Sequence, residues 1–95
     1  MIEFRDQELH VSGKIAYENA ENYYLNGLKV IRNEKNFPIT VNLAQLENGS
    51  TLALSVLVQW LRHTPNKQGL QFKAVPERMM KIIQACHLQD DLKIM

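Results

Sequence analysis

The side chains able to do chemistry are few and do not converge. His10, His63 and His87 lie in three separate stretches, and none has a cysteine or carboxylate at the spacing a metal site needs. Cys86 and His87 have the composition of a thiol–imidazole pair. Adjacent residues on a helix face different directions, however, so Cys86 reads as a structural residue. Ser50 has no nucleophile elbow around it, and the chain has neither a phosphate-binding glycine loop nor a dinucleotide glycine pattern. Tyr17, Tyr23 and Tyr24 cluster in one stretch, and core and rim packing of a helix explains them without a ligand. We therefore expect no catalytic residue, no metal site and no cofactor.

The chemistry that remains is recognition by backbone. Glu47-Asn48-Gly49-Ser50 is turn chemistry, with two candidate helix caps in Asn48 and Ser50. Before it, Thr40 to Leu43 is β-branched and apolar enough for an interior strand. After it, Leu52 to Leu61 has no helix breaker. Asn-Gly between apolar runs is also a hairpin signal. The run continues to about Thr64 without strict alternation and is rich in leucine and alanine, which favours a helix. A helix N-terminus presents unpaired N–H groups and a partial positive charge. The candidate partner-binding residues are therefore Asn48, Gly49, Ser50 and Thr51, continued along the helix by Leu52, Val56 and Trp60.

The last three come from a helical wheel stepping about 100° per residue. Leu54, Leu57, Val58 and Leu61 fall on one arc, expected to face a sheet. Leu52, Ala53, Val56 and Trp60 fall on an adjoining arc. The apolar surface is wider than one sheet-facing stripe needs, so either a neighbouring helix or another protein covers the second arc. Tryptophan at a partly exposed position suits an interface anchor, and Trp60 is expected to be at least partly exposed.

The elements that position this turn can be taken in chain order. Ile2 to Phe4 and Leu9 to Val11 read as an N-terminal hairpin. Tyr17, Ala20, Tyr24, Leu28 and Ile31 recur at steps of three and four, giving one face of a helix of about four turns. Pro38 prevents its continuation. Ile39 to Leu43, the turn and the second helix follow, closed by Pro65. Leu70 to Val75 alternates as a strand, with Leu70, Phe72 and Ala74 on one side. Pro76 suits the first position of a third helix whose apolar stripe is Met79, Ile82, Ile83 and Cys86. Leu92-Lys93-Ile94 is a candidate final strand. Strands alternating with helices imply a single α/β domain over residues 1–95. Its sheet is mixed, mostly parallel and of four to five strands, with an N-terminal hairpin and three helices.

Composition narrows the setting. The 95 residues are 45% hydrophobic and 22% charged, with a net charge of +1. That is ordinary for a soluble domain and gives no field for nucleic acid or an anionic membrane. One cysteine excludes an intrachain disulfide and suits a reducing compartment. The stretch MIEFRDQELH shows no signal-peptide pattern, and no apolar run approaches the ~20 residues that span a bilayer. A cytoplasmic protein is expected, reaching a membrane only through a partner.

At the turn the sequence resembles the STAS domain, the family of sulfate transporters and anti-sigma-factor antagonists. The resemblance runs over nearly the whole chain. It rests on the element order, on Val11-Ser12-Gly13 leaving the second strand, on Val41-Asn42-Leu43, and on the turn running into Leu52-Ala53-Leu54. Lys67-Gln68-Gly69 before the next strand is similar to the MlaB-like branch, the subunits of bacterial lipid-asymmetry ABC transporters. In the anti-sigma-factor antagonists the turn reads Asp-Ser-Ser/Thr-Gly, and its first serine is phosphorylated. Aligned on Leu52-Ala53-Leu54, this chain has Asn48 at the acidic position and Gly49 at the acceptor, with Ser50 and Thr51 next. The acceptor hydroxyl is thus displaced. The resemblance implies a non-catalytic cytoplasmic STAS subunit of an ABC transporter that moves phospholipid between bacterial membranes. Its partner would be the ATPase subunit, bound mainly through the start of the second helix. The alternative it implies is an anti-sigma-factor antagonist regulated by a partner kinase.

Overall fold

The alternation of the strands sets the architecture. In a computed structural model, which describes residues 1–35, 37–47, 50–64, 69–88 and 92–94, ten elements follow one another. They are β1 (Ile2–Arg5), β2 (Glu8–Val11), β3 (Gly13–Lys14), α1 (Ala20–Asn33), β4 (Ile39–Asn42), β5 (Leu46–Glu47), α2 (Thr51–Arg62), β6 (Leu70–Lys73), α3 (Glu77–Ala85) and β7 (Lys93–Ile94). Five strands form one sheet in the order β1-β2-β4-β6-β7. The β1–β2 hairpin is antiparallel, and the other three pairings are parallel. This is the mixed sheet with an antiparallel N-terminal edge that the sequence implies.

Successive strand residues point to opposite faces. Leu9, Val11, Ile39, Val41, Leu70 and Phe72 are all at most 2% exposed and join the helices in one core. Their alternates, Glu8, His10, Thr40, Asn42 and Gln71, are only half-buried, and Glu3, Arg5 and Lys73 are exposed. The helices therefore cover one face, and the other is open and polar. On it the Asn42 side-chain amide donates to Glu8 Oε1 at 3.0 Å, and Lys73 Nζ lies 3.3 Å from Glu8 Oε2. The Asn42 bond holds the Glu8 carboxyl below the ordinary glutamate range; desolvation, the next-largest effect, opposes it, and Lys73 and His10 add smaller lowering effects.

Several boundaries differ from the sequence reading, each for a local reason. The first helix starts at Ala20, and Tyr17 stands outside it at 91% exposure. Asn19 accounts for this. Its side chain accepts from Ala16 N–H at 2.7 Å and donates to the Lys14 carbonyl at 3.0 Å, fixing a turn where the helix would otherwise begin. Ala74 does not continue the β6 alternation, because it sits exposed at φ +57°, where the chain leaves the sheet. Pro76 flanks the third helix, which begins at Glu77. Cys86 is exposed rather than part of the α3 stripe. It caps α3, and the chain then turns through His87 at φ +57°. His87 N–H bonds the Gln84 carbonyl at 3.1 Å and Leu88 N–H bonds the Ile83 carbonyl at 2.9 Å, the Schellman pattern. The resulting turn folds Leu88 back and directs Cys86 outward.

Candidate functional site

The start of α2 is held from two sides. On the strand side, β5 pairs in parallel with β3, placing Leu46 opposite Gly13 and Glu47 opposite Lys14. Glu47, expected in the turn, is thus paired as a strand residue. Two-residue strands carry no periodicity, and only the Ser12-Gly13 dipeptide hinted at a special backbone. Gly13 is at φ +85°, and an added Cβ there would come within 2.8 Å of the Tyr23 hydroxyl, so a side chain is excluded twice over. Tyr23 donates from that hydroxyl to the Ser12 carbonyl at 2.6 Å. Burial pushes its phenol up from the ordinary tyrosine range, with Glu47 adding to the effect.

On the helix side, Ser50 is the N-cap. Its backbone is extended, at φ −101° and ψ 169°, and its Oγ accepts from Ala53 N–H at 3.1 Å. Of the two candidate caps, Ser50 fills the role. Asn48 and Gly49 lie outside the described residues. The first turn of α2 contains no acidic residue, so its partial positive charge is uncompensated there. Thr51, Ser55, Gln59 and Arg62 are exposed and lie along one side of the helix, with Leu52 and Val58 half-buried on its flanks. This polar ridge is the accessible part of α2.

Two of the expected partner-binding residues are not on it. Trp60 is 0% exposed and Val56 6%. Trp60 Nε1 donates to the Tyr24 carbonyl of α1 at 2.9 Å. A Cβ at Gly27 would fall 2.2 Å from the indole Cζ2, so the ring lies directly against the glycine backbone of α1. The expected exposure of Trp60 is thus corrected: of the two coverings open to the second arc, the neighbouring helix supplies it. The inward direction of α2 runs between the two arcs of the wheel. Ala53, Leu54, Val56, Leu57 and Trp60 are buried, while Val58 and Leu61 stay half-exposed. The sequence signal that could have found this was Gly27, a helix-disfavouring residue within an apolar-periodic run.

A shallow groove borders each side of the ridge. One, of about 250 Å³, runs along α1 beside Ala20, Glu21 and Tyr24. The other, of about 230 Å³, runs along the end of α3 beside Cys86 and Leu88. At the far end of α2 the Tyr24 hydroxyl and His63 Nε2 are 3.0 Å apart. No set of three metal-ligating side chains occurs among the described residues, and no helix of the described residues is long and apolar enough to cross a membrane. The arrangement offers hydrogen-bond donors, hydroxyls, one guanidinium and two apolar flanks.

Known proteins are similar to this chain over most or all of its length. The family described as "Mlab, STAS domain" matches residues 1–94. A chain of the Acinetobacter MlaFEDB complex in an ATP-bound Vtrans1 conformation is 60% identical, with all of both chains covered and a TM-score of 0.92. A chain of the same complex in the ATP-bound Vtrans2 conformation is 63% identical over 95% of each chain, with a TM-score of 0.89. An anti-sigma factor antagonist from Mycobacterium paratuberculosis shares the fold at 18% identity and a TM-score of 0.79, covering 99% of this chain and 81% of that one. A search of curated proteins finds no match.

Proposed function

The chain belongs to the STAS domain family, and from that premise we propose that it is the STAS subunit of an MlaFEDB-type ABC transporter moving phospholipid between bacterial membranes. The observation that carries this is the end-to-end likeness, at 60% identity, to a chain of an ATP-bound MlaFEDB complex. The partner is the ATPase subunit on the cytoplasmic side, and the membrane is reached through the complex. The chain does no chemistry of its own. Its mechanism is differential binding: a domain that favours the assembled ATPase conformation stabilises it by mass action. The anti-sigma-factor antagonist reading has only a shared fold behind it.

The docking surface is the start of α2, Ser50, Thr51 and Leu52, continued by Ser55, Gln59 and Arg62, with Asn48 and Gly49 just before them in the sequence. Small residues there let a partner backbone approach, and the unpaired N–H groups favour carbonyl or acidic groups. Ser50→Glu tests this. The added carboxylate gains about 0.3–1 kcal/mol at the helix N-terminus, against about 1 kcal/mol for the lost serine cap. The two nearly offset, so the fold survives while the approach space fills. We expect a folded Ser50→Glu chain that no longer co-purifies with the ATPase subunit. Ser50→Ala should lower the melting temperature yet keep its partner. Wild-type affinity in folded Ser50→Glu would remove the start of α2 as the docking site.

A further inference from the structure

The ridge on α2 has a second wall. Beyond it, α3 ends in the Schellman turn through His87, and Leu88 folds back to close the groove. Leu54, Val58 and Leu88 give this groove apolar sides, Ser55 and Cys86 line its rim, and Arg62 stands at one end. The wall is hydrogen-bonded in the free chain, so the groove exists before any partner arrives. Arg62 is the one charged side chain along it among the described residues, and it has no ion-pair partner among them. At the other end lies the start of α2, with no acid in its first turn. Both ends are electropositive, and between them apolar Leu54, Val58 and Leu88 line the groove together with the uncharged polar Ser55 and Gln59.

We propose that the ATPase subunit seats a large apolar side chain in the α2–α3 groove, beside a carboxylate that pairs with Arg62. This rests on the reading of α2 as the docking helix and adds the chemistry of the segment that docks. Charge complementarity selects the occupant. An acidic partner segment meets Arg62 and the helix N-terminus together, whereas a basic one is opposed at both ends. The apolar side chain removes Val58 and Leu88 from water, the part of the contact that supplies affinity.

Cys86 makes the groove observable, because its thiol is exposed at the rim. The experiment co-expresses the chain with its ATPase subunit and compares the rate of Cys86 labelling by a maleimide in the free chain and in the purified complex. Alongside, the affinity of the ATPase subunit is measured for wild type, Arg62→Glu and Arg62→Lys, each with its melting temperature. We expect labelling at least ~10-fold slower in the complex, binding at least ~10-fold weaker for folded Arg62→Glu, and near-wild-type binding for Arg62→Lys. The inference is overturned if Ser50→Glu breaks the complex while Cys86 reacts at its free rate and Arg62→Glu binds normally. In that case α2 docks without the groove. Protection of Cys86 by self-association of the free chain also overturns it, since a second copy is then the occupant. If no complex forms with wild type, the docking reading fails and this inference falls with it.

Discussion

Helix α2 is flanked by α1 on one side and by the end of α3 on the other, and the chain treats these flanks differently. Toward α1, Ala53, Val56 and Trp60 are buried, and the indole lies on the Gly27 backbone with its N–H on the Tyr24 carbonyl. Toward α3, Val58 and Leu88 stay half-buried and Cys86 is exposed. Both flanks of α2 carry apolar residues, so hydrophobicity does not distinguish them. The neighbour does. A glycine lets two helices approach closely and leaves a carbonyl within reach of the indole. A helix end followed by a left-handed turn keeps its partner at a distance. An indole is buried where the facing element offers both space for the ring and a hydrogen-bond acceptor for its N–H.

The largest expected effect tests the closed flank. Trp60→Ala empties the seam and removes the indole bond to the Tyr24 carbonyl. Truncation of a buried aromatic costs about 3–5 kcal/mol, a large share of the ~5–15 kcal/mol that holds a domain of this size together. Urea unfolding should show a loss in that range. A loss below about 1 kcal/mol would mean that the seam is not closed.

Gly27→Ala sharpens the same point through its sign. In a helix interior this change gains about 0.5–1 kcal/mol on propensity. Here the new Cβ would meet the indole at 2.2 Å, and overpacking of that kind costs about 1–3 kcal/mol. The net expectation is destabilisation in wild type. In a Trp60→Leu background the clash is gone, and Gly27→Ala should become stabilising. A double-mutant cycle reads the difference directly. The same sign in both backgrounds would show that the contact does not decide the seam.

What the sequence disclosed follows from what carries periodicity. The order of strands and helices, the N-terminal hairpin, and Ser50 as one of two caps were legible because alternation, helical spacing and turn residues are local signals. The direction in which Trp60 points was not, because a wheel ranks apolar positions on one helix and says nothing of what faces them. Gly27 held that information, yet a lone glycine in a helical run has several meanings until its neighbour is known. The β3–β5 pair was out of reach for another reason. Each strand has two residues, and each exists only because the other is there. The spacing of Cys86 places it on the α3 stripe, while the Schellman turn that ends α3 uses a left-handed histidine where glycine is the visible signal. The polar ridge of α2 was present as Ser55, Gln59 and Arg62, the residues left over once both apolar arcs were drawn.

The smallest expected effect tests the open flank. Cys86 is exposed at the cap of α3, and its part in the cap is played by its backbone N–H, which reaches the Gln84 and Ile82 carbonyls. Cys86→Ala keeps that N–H and the right-handed backbone at φ −91° and ψ 3°. It removes one sulfur from a groove wall that no other described residue covers. A substitution with those properties changes stability by no more than about 0.5 kcal/mol either way. Thermal unfolding of wild type and Cys86→Ala should therefore nearly superimpose. A loss above about 2 kcal/mol would place the thiol in a packed contact. The α3 flank would then be closed like the α1 flank, and the contrast between the two sides of α2 would disappear.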